Sequence, residues 1–112
     1  MGESILGSIK SILGPDDSYE EFDNDLILLI NASLAHLNDL GAGPAEPFVI
    51  TGSEETWDDF TDDKYIKSQA KQLVYLDVKM AWDSPNAGFV LESFKELRKE
   101  LEWRIERYCS ER

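Results

Sequence analysis

The stretch Asp25–Leu40, DLILLINASLAHLNDL, decides the fold class of this chain. Its apolar residues recur at helical rather than alternating spacing, and Leu26–Ile30 is apolar on every side, which is typical of a helix buried in a core. Just upstream, Ser18 and Glu21 have the spacing of a capping box, which predicts that the helix begins near Tyr19. Gly41 follows at the position where a helix often ends in a left-handed residue. The sequence therefore predicts a long central helix from about Tyr19 to Leu40.

Three other segments show the same helical periodicity. Ser4–Leu13 predicts a short N-terminal helix that packs on the chain's own core, and a second long core helix is expected from about Lys64 to Trp82. Asp77 interrupts the apolar stripe of that helix, and we interpret it as one partner of a salt bridge to a neighbouring helix. A long C-terminal helix is predicted from about Ala87 to Tyr108. The narrow apolar seam expected to pack it on the domain consists of Val90, Phe94, Leu97, Leu101 and Ile105.

These helices and the absence of alternating segments predict an all-α fold, a small helical bundle. The chain has 112 residues, of which 42% are hydrophobic and 30% are charged. That length fits a single domain, 1–112. The N-terminal sequence lacks the basic and long apolar regions of a signal peptide, and we expect no association with a membrane. One cysteine, Cys109, excludes a disulfide within the chain.

The charge is strongly acidic and unevenly distributed. The net charge is −12, and Met1–Asp63 carries 15 acidic residues with Lys10 as its one basic residue, whereas Lys64–Arg112 carries 8 acidic and 10 basic residues. Such a surface repels phosphate, which argues against a nucleic-acid-binding module. The imbalance fits a solvated acidic surface. It also fits acidic loops of one subunit that face the basic half of another or that line a common cavity.

One pattern suggests metal-dependent chemistry, the run Asp58–Asp62 with its Asp-Asp-x-x-Asp spacing. Carboxylates one helical turn apart can hold Mg²⁺ against a diphosphate. Such sites need a second acidic helix and a large cavity, and helix capping by the aspartates explains the run more simply. The lone His36 is interpreted as a helix-end residue rather than a ligand. We therefore predict no metal, no cofactor and no catalytic residue, and a protein that is not an enzyme.

The order of the motifs along the chain is informative. They are Ile12-Leu13-Gly14, Leu37-Asn38-Asp39-Leu40-Gly41, Thr56-Trp57-Asp58-Asp59-Phe60, Met80-Ala81-Trp82-Asp83-Ser84-Pro85, Phe89-Val90-Leu91-Glu92-Ser93 and Glu100-Leu101-Glu102-Trp103-Arg104. In this order they resemble the head–tail connector (adaptor) family of tailed phages, as found in phages and prophages of Gram-positive bacteria. The resemblance covers nearly the whole chain. One departure is the break Trp82–Pro85, where a Phe-Asp-Pro-Pro-like sequence would be expected.

The resemblance implies a structural virion protein. Such connectors form a homo-oligomeric ring, dodecameric like the portal, beneath the portal protein, where they extend the DNA channel. They provide the platform for a stopper or tail-completion protein, and DNA passes through without being specifically bound. The expected location is the head–tail interface of the virion, and the host cytoplasm during assembly. The competing interpretation is a small acidic inhibitor or DNA mimic, which would act as a monomer or dimer with carboxylates spread along one face.

Two sets of residues are candidates for contacts in such an assembly. Trp103, Arg107 and Tyr108 lie off the apolar seam or at its end, and aromatic and Arg side chains are favoured as interface anchors, so we expect them to bind the portal or a neighbouring subunit. The alternative is that Trp103 covers an edge of the core. Candidates for an acidic lumen or for interface loops are Asp16, Asp17, Glu54, Glu55, Asp58, Asp59, Asp62 and Asp63.

Overall fold

Five helices make up the described part of the fold. The computed structural model describes residues 3–13, 21–82 and 88–111. The helices are α1 (Ile5–Leu13), α2 (Asp23–Asp39), α3 (Trp57–Phe60), α4 (Lys64–Trp82) and α5 (Gly88–Ser110). Within the described residues the only β pairing is an isolated bridge between Ser4 and Thr56. The predicted all-α bundle is confirmed, and the bounds of α4 are those predicted.

The centre of the bundle is α4 rather than α2. Each of the other four helices packs against α4, whereas α2 packs mainly against α1 and α4. Leu28, in the run that is apolar on every side, has 70% of its surface exposed. The prediction that α2 is the most buried helix is therefore wrong. A helix with neighbours on one side buries one face only, and its outward apolar residues stay in solvent whatever the sequence pattern suggests.

The start of α2 also differs from its prediction. Glu21 and Phe22 form a turn, and the helix begins at Asp23 without a side-chain cap; the expected start near Tyr19 lies outside the described residues. Asp23 instead pairs with the buried Lys10 of α1, with 2.8 Å between Nζ and Oδ1. A carboxylate in the first turn also complements the positive end of the helix dipole. At the other end, Gly41 has a φ of 97°, which confirms the left-handed termination.

The short helix α1 packs on the chain's own core, as predicted. Ile5 and Ile9 are fully buried. The backbone N–H of Ile5 donates to the carbonyl of Glu55 (3.0 Å), which fastens the start of α1 to the segment before α3. The indole Nε1 of Trp57 donates to the hydroxyl of Ser8 (2.8 Å) in the interior. The N-terminal helix is thus a part of the core.

The loop between α2 and α3 is held by an asparagine. The side-chain amide of Asn31 donates to the carbonyl of Ile50 (3.0 Å) and accepts from its N–H (2.8 Å). The side chain of Ile50 is buried, so the extended piece predicted around it is tied to α2. Earlier in the loop, Gly43 has a φ of 84°, and a Cβ at this position would lie 2.5 Å from the ring of Phe60.

The predicted seam of α5 is correct for three of its five residues. Leu101 and Ile105 are fully buried and Phe94 packs against the core, but Leu97 is 37% exposed and Val90 is only half-buried. The N-terminal half of α5 lies beside the last turn of α4, where Ala81 is itself exposed. Helical periodicity identifies the face of a helix, but it does not show how far along the helix that face is covered.

We predict that Gly43→Ala lowers the free energy of unfolding by about 1 kcal/mol or more, because the new Cβ meets Phe60 and an L residue is strained at positive φ. The matched control is Gly52→Ala, where the added methyl meets open space. Urea denaturation of the three proteins measures the difference. Equal midpoints for both variants would contradict the prediction.

Candidate partner-binding site

The exposed surface of the C-terminal half of α5 carries an aromatic–cationic pair. Trp103 is 58% exposed, and the guanidinium carbon of Arg107 lies 5.0 Å from the centre of its ring. Arg107 also pairs with Glu111 (Nε to Oε1, 3.1 Å). On the opposite side of this part of α5, Leu101 and Ile105 are fully buried. Trp103 therefore does not cover the core, and it is presented to solvent on a backbone that the core holds in place.

Tyr108 lies apart from this pair, at the junction of α5 with the start of α4. Its hydroxyl donates to Oδ2 of Asp63 (2.8 Å), and its ring centre lies 4.5 Å from that of Tyr65. Tyr108 is half-buried and packs against the core. The structure thus brings together two of the three residues predicted to bind a partner, whereas Tyr108 lies at an internal contact.

Four of the candidate acidic residues form local hydrogen bonds or ion pairs. Glu55 accepts from both the N–H and the hydroxyl of Thr51, at 3.0 and 2.8 Å. Asp59 accepts from the N–H of Thr56 (3.0 Å) and completes the capping box of α3. Asp63 caps α4 by accepting from the N–H groups of Tyr65 (2.9 Å) and Ile66 (3.2 Å). Asp58 pairs with Lys67 of α4 instead of capping a helix.

The other candidates divide into exposed residues and residues outside the described ranges. Glu54 and Asp62 are exposed, and so are Asp58 and Asp59. Asp16 and Asp17 lie outside the described residues. Within the described ranges, no group of three His, Cys, Asp or Glu side chains is arranged to hold a metal ion. The Asp-Asp-x-x-Asp run is thus used at Asp58 for an ion pair and at Asp59 for a cap.

A polar network joins the three long helices. Asp77 of α4 accepts from the hydroxyl of Ser33 on α2 (2.6 Å) and from Nε of Arg98 on α5. Arg98 also donates through Nη1 to Glu102 (3.0 Å), whose other oxygen lies 2.6 Å from Nε2 of His36 on α2. The salt bridge predicted for Asp77 is confirmed. The contact between His36 and Glu102 was missed, because no local spacing connects residues on separate helices.

Three side chains have pKa values that are shifted by their contacts. The hydrogen bond to Asp77 raises the pKa of Arg98 above its usual range. The hydrogen bond from Lys67 holds the pKa of Asp58 below the usual value of 3.8, and the hydroxyl of Thr51 lowers that of Glu55. Both carboxylates are therefore ionised at neutral pH, which keeps the surface around α3 negative.

Comparison with known proteins adds an independent finding. A family model described as phage connector protein matches residues 5–112, a range that includes all five helices. Neither the comparison with curated proteins nor the comparison with solved structures gives a match. In the described parts of the chain, no helix combines the length and the hydropathy needed to span a bilayer.

We predict that Tyr108→Phe lowers the free energy of unfolding by about 1 kcal/mol, because it removes the hydroxyl that bonds Asp63 and leaves the ring in place. Tyr65→Phe is the control, since it removes a hydroxyl from the exposed ring beside it. Chemical denaturation checks both. If the two variants were equally stable, the bond to Asp63 would contribute nothing.

We predict that the carboxyl of Asp58 titrates below 3.8 and that Lys67→Met returns it to about that value. Because the pKa is depressed in the folded chain, the ion pair contributes stability above the unfolded-state pKa, and this contribution disappears as the pH falls through the folded-state pKa. NMR titration of the side-chain carboxyl carbon measures both values. An unchanged pKa in Lys67→Met would show that another group causes the shift.

Proposed function

Because the chain belongs to the phage connector protein family, we propose that it is the head–tail connector (adaptor) that forms a ring beneath the portal protein. In this role it extends the DNA channel and joins the head to a stopper or tail-completion protein. Family membership identifies a structural protein of the phage. The ring, its dodecameric size and the location at the head–tail interface, with a period in the host cytoplasm during assembly, are parts of the proposal.

The observation that carries the contact with the portal is the exposed pair of Trp103 and Arg107. Trp and Arg are enriched among the residues that dominate the energy of protein interfaces. Here the two side chains lie against one another, so the indole and the guanidinium form one continuous surface. The buried Leu101 and Ile105 fix the helix that carries them, and a preformed surface loses less conformational entropy on binding.

The exposed acidic residues support a channel or subunit-contact role for the loop around α3. Glu54, Asp58, Asp59 and Asp62 present their carboxylates on one short stretch of chain. A negative lumen repels DNA phosphates, so DNA can pass without being held. We propose this role for these residues together with Asp16 and Asp17.

A small acidic inhibitor or DNA mimic is the other candidate, and the acidic composition favours it. Such a protein would present its carboxylates to a basic partner. The match of residues 5–112 to the phage connector protein family points to the connector role instead. The connector role is therefore the better supported one.

We predict that Trp103→Ala weakens binding to the portal protein of the same phage by at least about tenfold, because it removes the central aromatic of the proposed contact. Arg107→Ala should act in the same direction. The melting temperature should change little, because Trp103 is exposed. Surface plasmon resonance with immobilised portal and thermal denaturation give the two readouts.

The matched control is Leu28→Ala, which removes an exposed apolar side chain from α2. It should bind the portal as the unmodified chain does. Portal affinity that is the same in all four proteins would contradict the proposed contact. Binding to a basic partner in place of the portal would favour the inhibitor interpretation.

A further inference from the structure

The N-terminal half of α5 has two unlike edges. On one edge, α2, α4 and α5 enclose an open groove of about 490 Å³. Its apolar lining comes from Leu29 and Ala32 of α2 and from Met80 and Ala81 of α4. Its polar side is the network that joins the three long helices, with Ser33, His36, Asp77 and Arg98. We call this surface the groove edge. The polar network at Arg98 fixes the width of the groove, because it ties α2 and α5 to α4 there.

The other edge of α5 carries exposed apolar side chains. Phe89 is 77% exposed and Leu97 is 37% exposed. Nine residues, or two and a half helical turns, separate Phe89 from Arg98, so these two side chains lie on opposite sides of α5. We call the surface of Phe89 and Leu97 the outer edge. Among the described residues, nothing covers either of these two surfaces.

The charges on the solvent face of α5 divide in the same way. Lys95 and Lys99, one turn apart, lie on the half of this face that is nearer to the groove, since Lys95 is one turn before Arg98. Glu96 and Glu100 lie on the other half, because they follow Phe89 by seven and eleven residues, two and three turns. All four residues are exposed. Lys95 has a long contact with Glu92 (3.7 Å), and Glu100 pairs with Arg104 (2.5 Å), both within α5. Lys99 and Glu96 have no ion pair among the described contacts, so the groove edge offers a lysine and the outer edge a glutamate to a partner.

We propose that the groove edge binds the outer edge of a second copy of this chain. Phe89 and Leu97 of one copy then cover the groove of the next, and Glu96 and Glu100 face Lys95 and Lys99. This inference rests on the proposed function, in which copies associate in a ring, and it names the surface through which they do so. Two different surfaces that pair head to tail generate a ring when the rotation between copies closes.

This arrangement leaves the Trp103 surface available. Trp103 is fourteen residues beyond Phe89, which is about 21 Å along the helix. One helix can thus contact a neighbouring copy through its first half and the portal through its second half.

The test uses cysteine cross-linking in the Cys109→Ser background. One protein carries Leu97→Cys on the outer edge, and a second carries Ala32→Cys in the groove edge. Mixed under mild oxidation, they should form the mixed disulfide dimer, whereas neither forms a dimer alone. A chain with both cysteines should form a ladder of oligomers. The control is Ser53→Cys, on an exposed loop position away from both edges.

A charge exchange then tests the register. Lys95→Glu with Lys99→Glu in the Ala32→Cys protein should reduce the yield of the mixed dimer at least about fivefold. Adding Glu96→Lys with Glu100→Lys to the Leu97→Cys protein should restore it to within about twofold. Circular dichroism of each variant confirms that the helix content is retained. A misfolded variant would not be rescued by a complementary partner.

The proposal would be overturned if the mixed dimer formed no more than it does with the Ser53→Cys control. It would also be overturned if Leu97→Cys formed a dimer with itself, or if the charge exchange did not change the yield of the mixed dimer. Binding to the portal is measured on the same proteins. A chain that binds the portal but does not cross-link overturns this interface and leaves the connector function intact. A chain that cross-links but does not bind the portal overturns the proposed function and supports this contact between copies.

Discussion

The contact of Asp77 with Arg98 and Ser33 is the interaction on which the arrangement of the three long helices depends. A half-buried carboxylate is costly unless it is paired and hydrogen-bonded, and Asp77 meets this requirement only when α2 and α5 both lie against α4. Glu102 and His36 extend the same network by one turn along α2. Because hydrogen bonds are directional, these contacts fix the relative position of the helices more closely than apolar packing alone would.

The network also divides α5 into two parts with different roles. Beyond Arg98, Leu101 and Ile105 fill the core, and the helix is a fixed platform. Before Arg98, Phe94 still packs against the core, but Phe89 and Leu97 are left exposed by the described part of the chain. The second half of this 23-residue helix therefore stabilises the fold, and the first half presents exposed apolar side chains that a partner could cover.

The sequence was sufficient for features that depend on local patterns. The limits of α4, the left-handed Gly41 and the ionic role of Asp77 were predicted, because periodicity, glycine and an interrupting charge are local signals. The position of α4 at the centre and the contact of His36 with Glu102 depend on tertiary packing, which periodicity does not encode. For the candidate site, the sequence was sufficient to predict that Trp103 and Arg107 are exposed, because both lie off the apolar seam of α5. The separation of Tyr108 from them depends on how the end of α5 packs against the start of α4, which is again tertiary information.

The amide of Asn31 has a consequence for how the chain meets other molecules. It pairs with both backbone groups of Ile50 in the way a neighbouring strand would. The extended residue is thereby ordered without an open strand edge, and open edges are the common route by which chains add to one another indiscriminately. A protein that assembles in the proposed ring would benefit from this closure. Its self-association is then left to side-chain surfaces, which discriminate between partners far better than a bare backbone does.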